Sequence, residues 1–233
     1  MIGEGVLVVD DDKEIADLVE IHLVSEGYEV HKTNSAIEGL HILQSKDIKL
    51  VILDIMMPEM DGLTMCKKIR EKSTIPIIIL SAKSADLDKI VGLGAGADDY
   101  VIKPFNPLEL TARVKSQIRR YTEFNPNSLN GDMDKEIVLS HLTINKEIHK
   151  VIAYGKEVKL TPIEFDILYL LASKVGRVFS TDEIFERVWK ERMYEANNTV
   201  MVHIRRIREK IEMDPRNSKI IKTVWGVGYK IEE

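Results

Sequence analysis

The chain has 233 residues, 44% hydrophobic and 30% charged, with a formal net charge of −5. That balance fits one large or two ordinary globular domains and excludes disorder and collagen-like repeats. No apolar run approaches the ~20 residues of a bilayer span, and no basic-then-apolar leader opens the chain, so a soluble, cytoplasmic protein is expected. The one cysteine, Cys66, has no partner for an internal disulfide and no Cys or close His to complete a zinc site. Charge is uneven along the chain: net −5 over residues 1–120, −2 over 121–135 and +2 over 136–233. The stretch 121–135, YTEFNPNSLNGDMDK, carries Asn, Pro and Gly with almost no periodic apolar pattern and reads as a linker.

In the first half, short apolar runs at 6–9, 28–33, 50–53, 77–80 and 100–102 predict strands. The first, third and fourth are continuously apolar, as expected of central parallel strands covered on both faces. Helical stretches lie between them. The clearest is 107–120, where Leu110, Val114 and Ile118 are spaced four apart on one stripe. Five strands alternating with five helices predict a doubly wound α/β domain, in which ligand chemistry collects at the carboxyl ends of the strands. Those ends carry Asp10-Asp11-Asp12, Asp54, Ser81 and Lys103-Pro104. Any one of them is an ordinary strand-end residue. Together, carboxylates that repel one another unless a cation sits among them, a hydroxyl and a lysine suit Mg²⁺ and a phosphoryl group.

In order and spacing, VLVVDDD, LDIMMPEMDG, ILSA and GADDYVIKPF resemble the receiver domain of two-component response regulators, over roughly residues 1–120. The resemblance implies a flavodoxin- or CheY-like five-stranded parallel sheet with Asp54 as phosphoacceptor for a sensor histidine kinase. It implies Mg²⁺ bound by Asp11, Asp54 and the backbone carbonyl of Met56, with Asp10 completing the acid pocket. Lys103 would pair with the phosphoryl oxygens, Ser81 would donate its hydroxyl to them, and Tyr100 would swing inward behind it. A cis Lys103–Pro104 peptide would turn the lysine toward the pocket. Ser81 stands where threonine is commoner and keeps the hydroxyl. Asp12 is expected to be solvated or to contribute through water. In the resembling subfamily, the last two helices and the strand between them form a symmetric dimer on phosphorylation, through ion pairs. Carried onto this chain, Lys89 would pair with Glu109, and Asp98 or Asp99 with Arg113, Lys115 or Arg120.

In the second half, residues 137–144 and 149–154, a Gly155-Lys156 turn and residues 157–160 predict a small antiparallel sheet. Thr161-Pro162-Ile163-Glu164 then announces a helix, with Thr161 as cap, Pro162 first and Glu164 closing a capping box. Ser180-Thr181-Asp182-Glu183 announces a second, and a third begins near Asn197-Asn198-Thr199. Residues 220–224 and 229–231, around Trp225-Gly226-Val227-Gly228, read as a terminal hairpin. Three helices followed by a β-hairpin describe an α+β winged helix-turn-helix domain. On the third helix Val200, Ile204, Ile207 and Ile211 form a core stripe, with Asn198, Thr199, Val202, Arg205, Arg206 and Glu209 opposite. Such a basic outer face suits a major groove, where arginine pairs with guanine edges and valine touches a thymine methyl.

LTPIEFDILYLLA, NNTVMVHIRRIREKI and IKTVWGVGYKI resemble the OmpR/PhoB-type output domain over residues 136–233. This implies that the helix at 198–211 docks in the major groove of double-stranded promoter DNA. Arg206 and Val202 would reach base edges beside Arg205. Asn198, Thr199, His203 and Arg208 would position phosphates, and Thr223, Trp225 and Tyr229 in the wing would lie near the minor groove or backbone. Trp225 stands where relatives often carry Arg. Residues 190–196 would face RNA polymerase. RVKSQIRRY and IKTVWGVGYKIE look most like VanR-type regulators, which implies a cell-envelope or glycopeptide-resistance regulon. The function expected is that of a transcription factor switched by phosphorylation and dimerisation, and not an enzyme. Two alternatives stay open on the residues alone. A phosphohydrolase could use the same acid cluster, although Met56 stands where its second acid belongs. A constitutive DNA binder could keep the receiver for dimerisation only.

Overall fold

The computed structural model of the chain describes residues 3–82, 86–123, 136–190 and 198–232. It divides into two compact units, Met1–Thr122 and Glu123–Glu233, each with its own hydrophobic core.

In the first unit β1 (Gly5–Val9), β2 (Glu29–Thr33), β3 (Ile48–Asp54), β4 (Ile77–Ser81) and β5 (Asp99–Ile102) form a parallel sheet in the order β2-β1-β3-β4-β5. Helices α1 (Lys13–Ser25), α2 (Ala36–Ser45), α3 (Gly62–Arg70), α4 (Asp86–Gly94) and α5 (Pro107–Glu123) alternate with the strands. The apolar runs of β1, β3 and β4 are buried because helices cover both sheet faces. The edge strand β2 is charged and half-exposed, and its Lys32 pairs with Asp17 and Glu20 of α1. Such an edge resists pairing with another chain. The strand order reverses at β1, which opens a crevice beyond the carboxyl ends of β1 and β3. A Cβ at Gly62 would stand 2.0 Å from the Asp54 carbonyl oxygen, so glycine is what lets α3 start against that crevice. Helix α5 takes in Tyr121, Thr122 and Glu123 from the expected linker; residues 124–135 lie outside the described residues.

In the second unit β6 (Glu136–Leu139), β7 (Leu142–Asn145), β8 (Lys150–Ala153) and β9 (Lys156–Val158) form an antiparallel sheet in chain order. The stretch 137–144, read as one segment, is thus a hairpin folded at Ser140-His141. Helices α6 (Pro162–Ala172), α7 (Thr181–Trp189) and α8 (Thr199–Ile211) follow, then the hairpin β10 (Ile221–Val224) and β11 (Gly228–Ile231). The caps read from sequence are present: the Thr161 N–H donates to Glu164 Oε2 at 2.8 Å, and Ser180 Oγ accepts from the Glu183 N–H at 3.1 Å. A one-turn 3₁₀ helix, Pro215–Asn217, precedes β10 and was not expected. Val200, Ile204, Ile207 and Ile211 pack with Ile163, Ile167, Leu168 and Phe179 in one core. The hairpin is held to that core by paired hydrogen bonds between Tyr229 and Phe179, both at 2.9 Å. A Cβ at Gly228 would stand 1.9 Å from the Phe179 carbonyl oxygen and would block this approach. Among the described residues, no helix is long and apolar enough to cross a membrane.

Candidate acidic pocket and nucleic-acid interface

Sheet register brings Asp10, Asp54, Ser81 and Lys103 together at the carboxyl edge, one from each of β1, β3, β4 and β5 or the residue following it. Lys103 links them. Its Nζ lies 2.8 Å from Asp10 Oδ2 and 2.7 Å from Asp54 Oδ1, and its backbone N–H donates to the Ser81 carbonyl at 2.7 Å. The Lys103–Pro104 peptide is cis, as expected. Asp10 and Asp54 are buried and Asp11 is exposed, and one oxygen from each carboxylate lies within 4.8 Å of the others. Burial pushes the Asp10 carboxyl above its usual range, against the pull of Lys103. Burial also works to lower the Lys103 pKa, but hydrogen bonds to Asp10 and Asp54 outweigh it and hold the ammonium above its usual value. Three carboxylates around one lysine leave an acidic excess, and an all-oxygen donor set of this size fits Mg²⁺. The Met56 N–H donates to Asp54 Oδ2 at 2.5 Å.

Ser81 is fully buried, and the Tyr100 hydroxyl is hydrogen-bonded to it. The expected inward swing of Tyr100 is thus corrected: the ring rests inward already, held by the Ser81 hydroxyl. Gly92 of α4 makes room, since a Cβ there would stand 3.0 Å from Tyr100 Cδ2. Asp12 is exposed, as expected, and has a further role: it is the N-cap of α1, accepting the Glu14 N–H at 2.9 Å and the Ile15 N–H at 3.3 Å. The signal was present in the sequence, because aspartate is among the best N-caps.

The residues expected on an ion-paired dimer face divide. Asp98 is corrected: it is fully buried, pairs with Arg70 and accepts the Ile77 N–H at 2.9 Å. Arg70 also donates to the Gly96 and Ile75 carbonyls, so Asp98 neutralises a clamp joining α3 to the start of β4. Arg120 is buried, and Lys115 reaches Glu26, just past α1, at 2.6 Å; neither presents a free cation beside α4. Asp99 and Glu109 both meet Arg113 at 2.9 Å within the chain. Lys89 lies half-buried on α4. Leu87 and Val91, exposed on the same helix, were missed because isolated apolar residues leave no mark on a helical pattern.

On α8 the outer-face reading holds for Arg205 and Glu209, exposed and paired at 3.0 Å. It is corrected for Thr199, Val202 and Arg206, all buried. The physical cause is Glu164 on α6. Its carboxylate is fully buried, meets Arg206 Nη2 at 2.9 Å and Lys210 Nζ at 2.6 Å, and takes the Thr161 N–H. Burial pushes Glu164 upward, yet the charges of Arg206 and Lys210 outweigh it and hold the carboxyl below its usual range. An uncompensated buried charge costs several kcal/mol, so α8 turns both cations toward it. His203 is also corrected as a phosphate contact: it is fully buried, its ring 5.5 Å from that of Trp189. Arg208 donates Nη2 to the Ile221 carbonyl at 2.8 Å and to Thr223 Oγ1 at 2.9 Å, tying α8 to the hairpin. Tyr229 is buried, its ring centroid 5.7 Å from the Arg208 guanidinium, and so does not reach outward from the wing. Asn198 is half-buried, and Trp225 stands 90% exposed at the hairpin tip. Met201, exposed in line with Arg205, was missed by sequence reasoning. Of the loop at 190–196, Lys190 ends α7 and residues 191–196 lie outside the described residues.

Over residues 6–115 the chain matches the family model of the response regulator receiver domain. Over 155–231 it matches that of the C-terminal domain of transcriptional regulatory proteins. It is 48% identical to regulatory protein VanRc of Enterococcus gallinarum over 232 residues and 48% identical to VanR of Enterococcus faecium over 233. All of this chain and all of each relative are covered. Among solved structures it is similar to the response regulator DrrB of Thermotoga maritima, an OmpR/PhoB homologue. The identity is 33% and the TM-score 0.51, covering 99% of this chain and 100% of that one. A receiver sheet with its acid pocket, a DNA-binding unit and full-length likeness agree: the chain belongs to the two-component response regulators of OmpR/PhoB type, which are transcription regulators rather than enzymes.

Proposed function

We propose that Asp54 accepts a phosphoryl group from a sensor histidine kinase, and that the modified protein pairs with a second copy and reads promoter DNA through α8. The observation that carries this reading is Lys103 held between Asp10 and Asp54 at 2.8 and 2.7 Å, a cation paired with the carboxylates of an acid pocket. Asp10, Asp11 and Asp54, with the Met56 carbonyl, would hold Mg²⁺, which supplies neutralisation of phosphate oxygens. An Asp54 oxygen forms the new bond to phosphorus as the bond from phosphorus to the kinase imidazole breaks. Lys103 follows the charge from the carboxylates to the phosphoryl oxygens. Ser81, already bonded to Tyr100, offers its hydroxyl to the same group. Because the ring already rests inward, that interaction locks it there rather than swinging it, and the lock biases α4 and β5, which is how a local charge change becomes a change of surface.

On that surface Leu87 and Val91 supply apolar area, and Lys89, Glu109, Asp99 and Arg113 supply charges able to exchange partners across a two-fold axis. On DNA, Met201 and Arg205 lead the open stripe of α8, and Asn198, Arg208 and Thr223 flank it. RNA polymerase is the further partner, met through residues 190–196, and likeness to VanR proteins favours a cell-envelope regulon.

The test is to incubate wild-type and Asp54→Ala protein with Mg²⁺ and a small acyl phosphate, following intact mass, oligomeric state and enrichment of duplexes from a random library. One phosphoryl adduct on wild type only, with a shift to dimer and enrichment of a repeated half-site, is expected. No adduct on wild type removes Asp54 from its role. Equal enrichment by Asp54→Ala supports the constitutive binder instead.

A further inference from the structure

The chain has two tryptophans with opposite surroundings: Trp189 is 5% exposed in the core and Trp225 is 90% exposed at the hairpin tip. Such a large apolar ring left in water has a rigid support. The Val227 N–H donates to the Val224 carbonyl at 2.9 Å, and Gly226 takes φ 74°, closing a tight turn beneath the indole. Val227, beside it, is exposed as well. The hairpin below is fixed by Phe179 and by Arg208 of α8, so the tip is continuous with the DNA-reading helix. Behind the tip, Lys222 and Lys230 face each other across the strands. Lys222 donates to the Ser218 carbonyl and Lys230 pairs with Glu232. A like-charge pair directly opposed is unfavourable alone and favourable beside phosphates. From Ile221, where Arg208 binds, a strand rise of about 3.3 Å per residue carries the ring about 13 Å along the hairpin.

We propose that Trp225 is a specificity-determining residue, an apolar wedge that enters the minor groove beside the α8 site and partly unstacks one base step. This rests on the DNA reading proposed above and deepens it. A wing cation would sense the electrostatic potential of the groove; an indole senses how readily a step opens. Pyrimidine–purine steps open most easily, so the operator carries a TA or CA/TG step where the wing lands. Specificity at that position comes from deformability, without a hydrogen bond to a base edge.

The experiment uses full-length protein treated with Mg²⁺ and acyl phosphate, and a duplex enriched by that protein from the random library. Acrylamide distinguishes the two tryptophans, quenching exposed Trp225 and sparing buried Trp189. In the complex, Trp225 is expected to become shielded, and 2-aminopurine at the flanking step to brighten as it unstacks. Trp225→Ala is expected to weaken binding roughly tenfold. The salt slope stays the same, because an indole releases no counterion. Trp225→Phe keeps most of the affinity. Because the side chain is exposed, an unchanged melting temperature confirms that both variants fold. Trp225 still open to acrylamide in the complex, a flatter salt slope, or Trp225→Ala binding within twofold of wild type overturns the wedge and leaves the α8 reading standing. If no duplex is enriched, the DNA reading itself fails.

Discussion

The acid pocket and the face of α8 are built on opposite principles. In the pocket, position follows from topology. Parallel strands end at one edge, and whatever residue comes last in β1, β3, β4 or β5, or next after it, is delivered there. On α8, position follows from packing. The helix is bounded by α6 and α7, and the buried carboxylate of Glu164 draws Arg206 and Lys210 inward while Trp189 covers His203. A site on a sheet edge survives errors in judging which way a side chain points. A site on a helix face does not, because neighbouring residues sit about 100° apart and the roll is set by partners remote in sequence.

The strongest test of this contrast is Arg206→Met. It leaves Glu164, fully buried, with Lys210 as its remaining cationic partner among the described residues. Removing one member of a buried ion pair costs about 3–5 kcal/mol. Lys210 retains part of the neutralisation, so a loss of about 3 kcal/mol in the second unit is expected, read by denaturant unfolding. The double variant Glu164→Leu with Arg206→Met should recover part of it. An unchanged stability would mean that Arg206 is free of Glu164 in solution, and the outer face read from the sequence would stand after all.

This contrast also accounts for what the sequence disclosed. Continuous apolar runs bounded by Asp or Ser mark β1, β3 and β4 to within a residue or two, and with them the pocket, because a strand and its end are local features of the chain. Thr161 and Ser180 located the starts of α6 and α7, because a cap is a local device. What stayed hidden depends on partners far along the chain. Arg70 and Asp98 meet across 28 residues and Lys210 and Glu164 across 46. A charge that is buried and paired looks, in one dimension, like a charge in water.

The two units should also answer acid differently. In the pocket, burial raises the Asp10 carboxyl, so the folded receiver holds that proton more tightly than the unfolded chain, and protonation there favours folding. His149 in the second unit behaves oppositely. Burial against Phe165, ring centroids 4.1 Å apart, and the nearby Lys146 lower its pKa to about 4 from 6.5. Between those values the unfolded chain binds the proton and the folded unit refuses it, so its stability falls as pH drops from 6.5 to about 4. The full shift converts to about 3 kcal/mol, and partial exposure of the ring reduces it to about 1–2 kcal/mol. His149→Asn suits the site, because asparagine tolerates the left-handed backbone at φ 48°. It should flatten the pH dependence of the second unit's unfolding by that amount. A slope equal to wild type would assign the acid sensitivity to another group.

The smallest effect on the fold, and the sharpest on function, belongs to Arg205→Ala. Arg205 is exposed, and its partner Glu209 is exposed one turn away, so the pair contributes a few tenths of a kcal/mol and the melting temperature should not move. On DNA the same truncation removes a guanidinium from the open stripe. If it meets a guanine edge, binding falls by about 1–3 kcal/mol, with relaxed preference at one base pair. If it meets a phosphate, binding weakens uniformly and the salt slope drops by about 0.9. Either outcome separates Arg205 from its neighbour: Arg206 is then required for the unit to hold together, and Arg205 for what the unit holds. DNA binding indifferent to Arg205 would move the interface to the margin of α8, and the roll imposed by Glu164 would have to change on the operator for Arg206 to reach it.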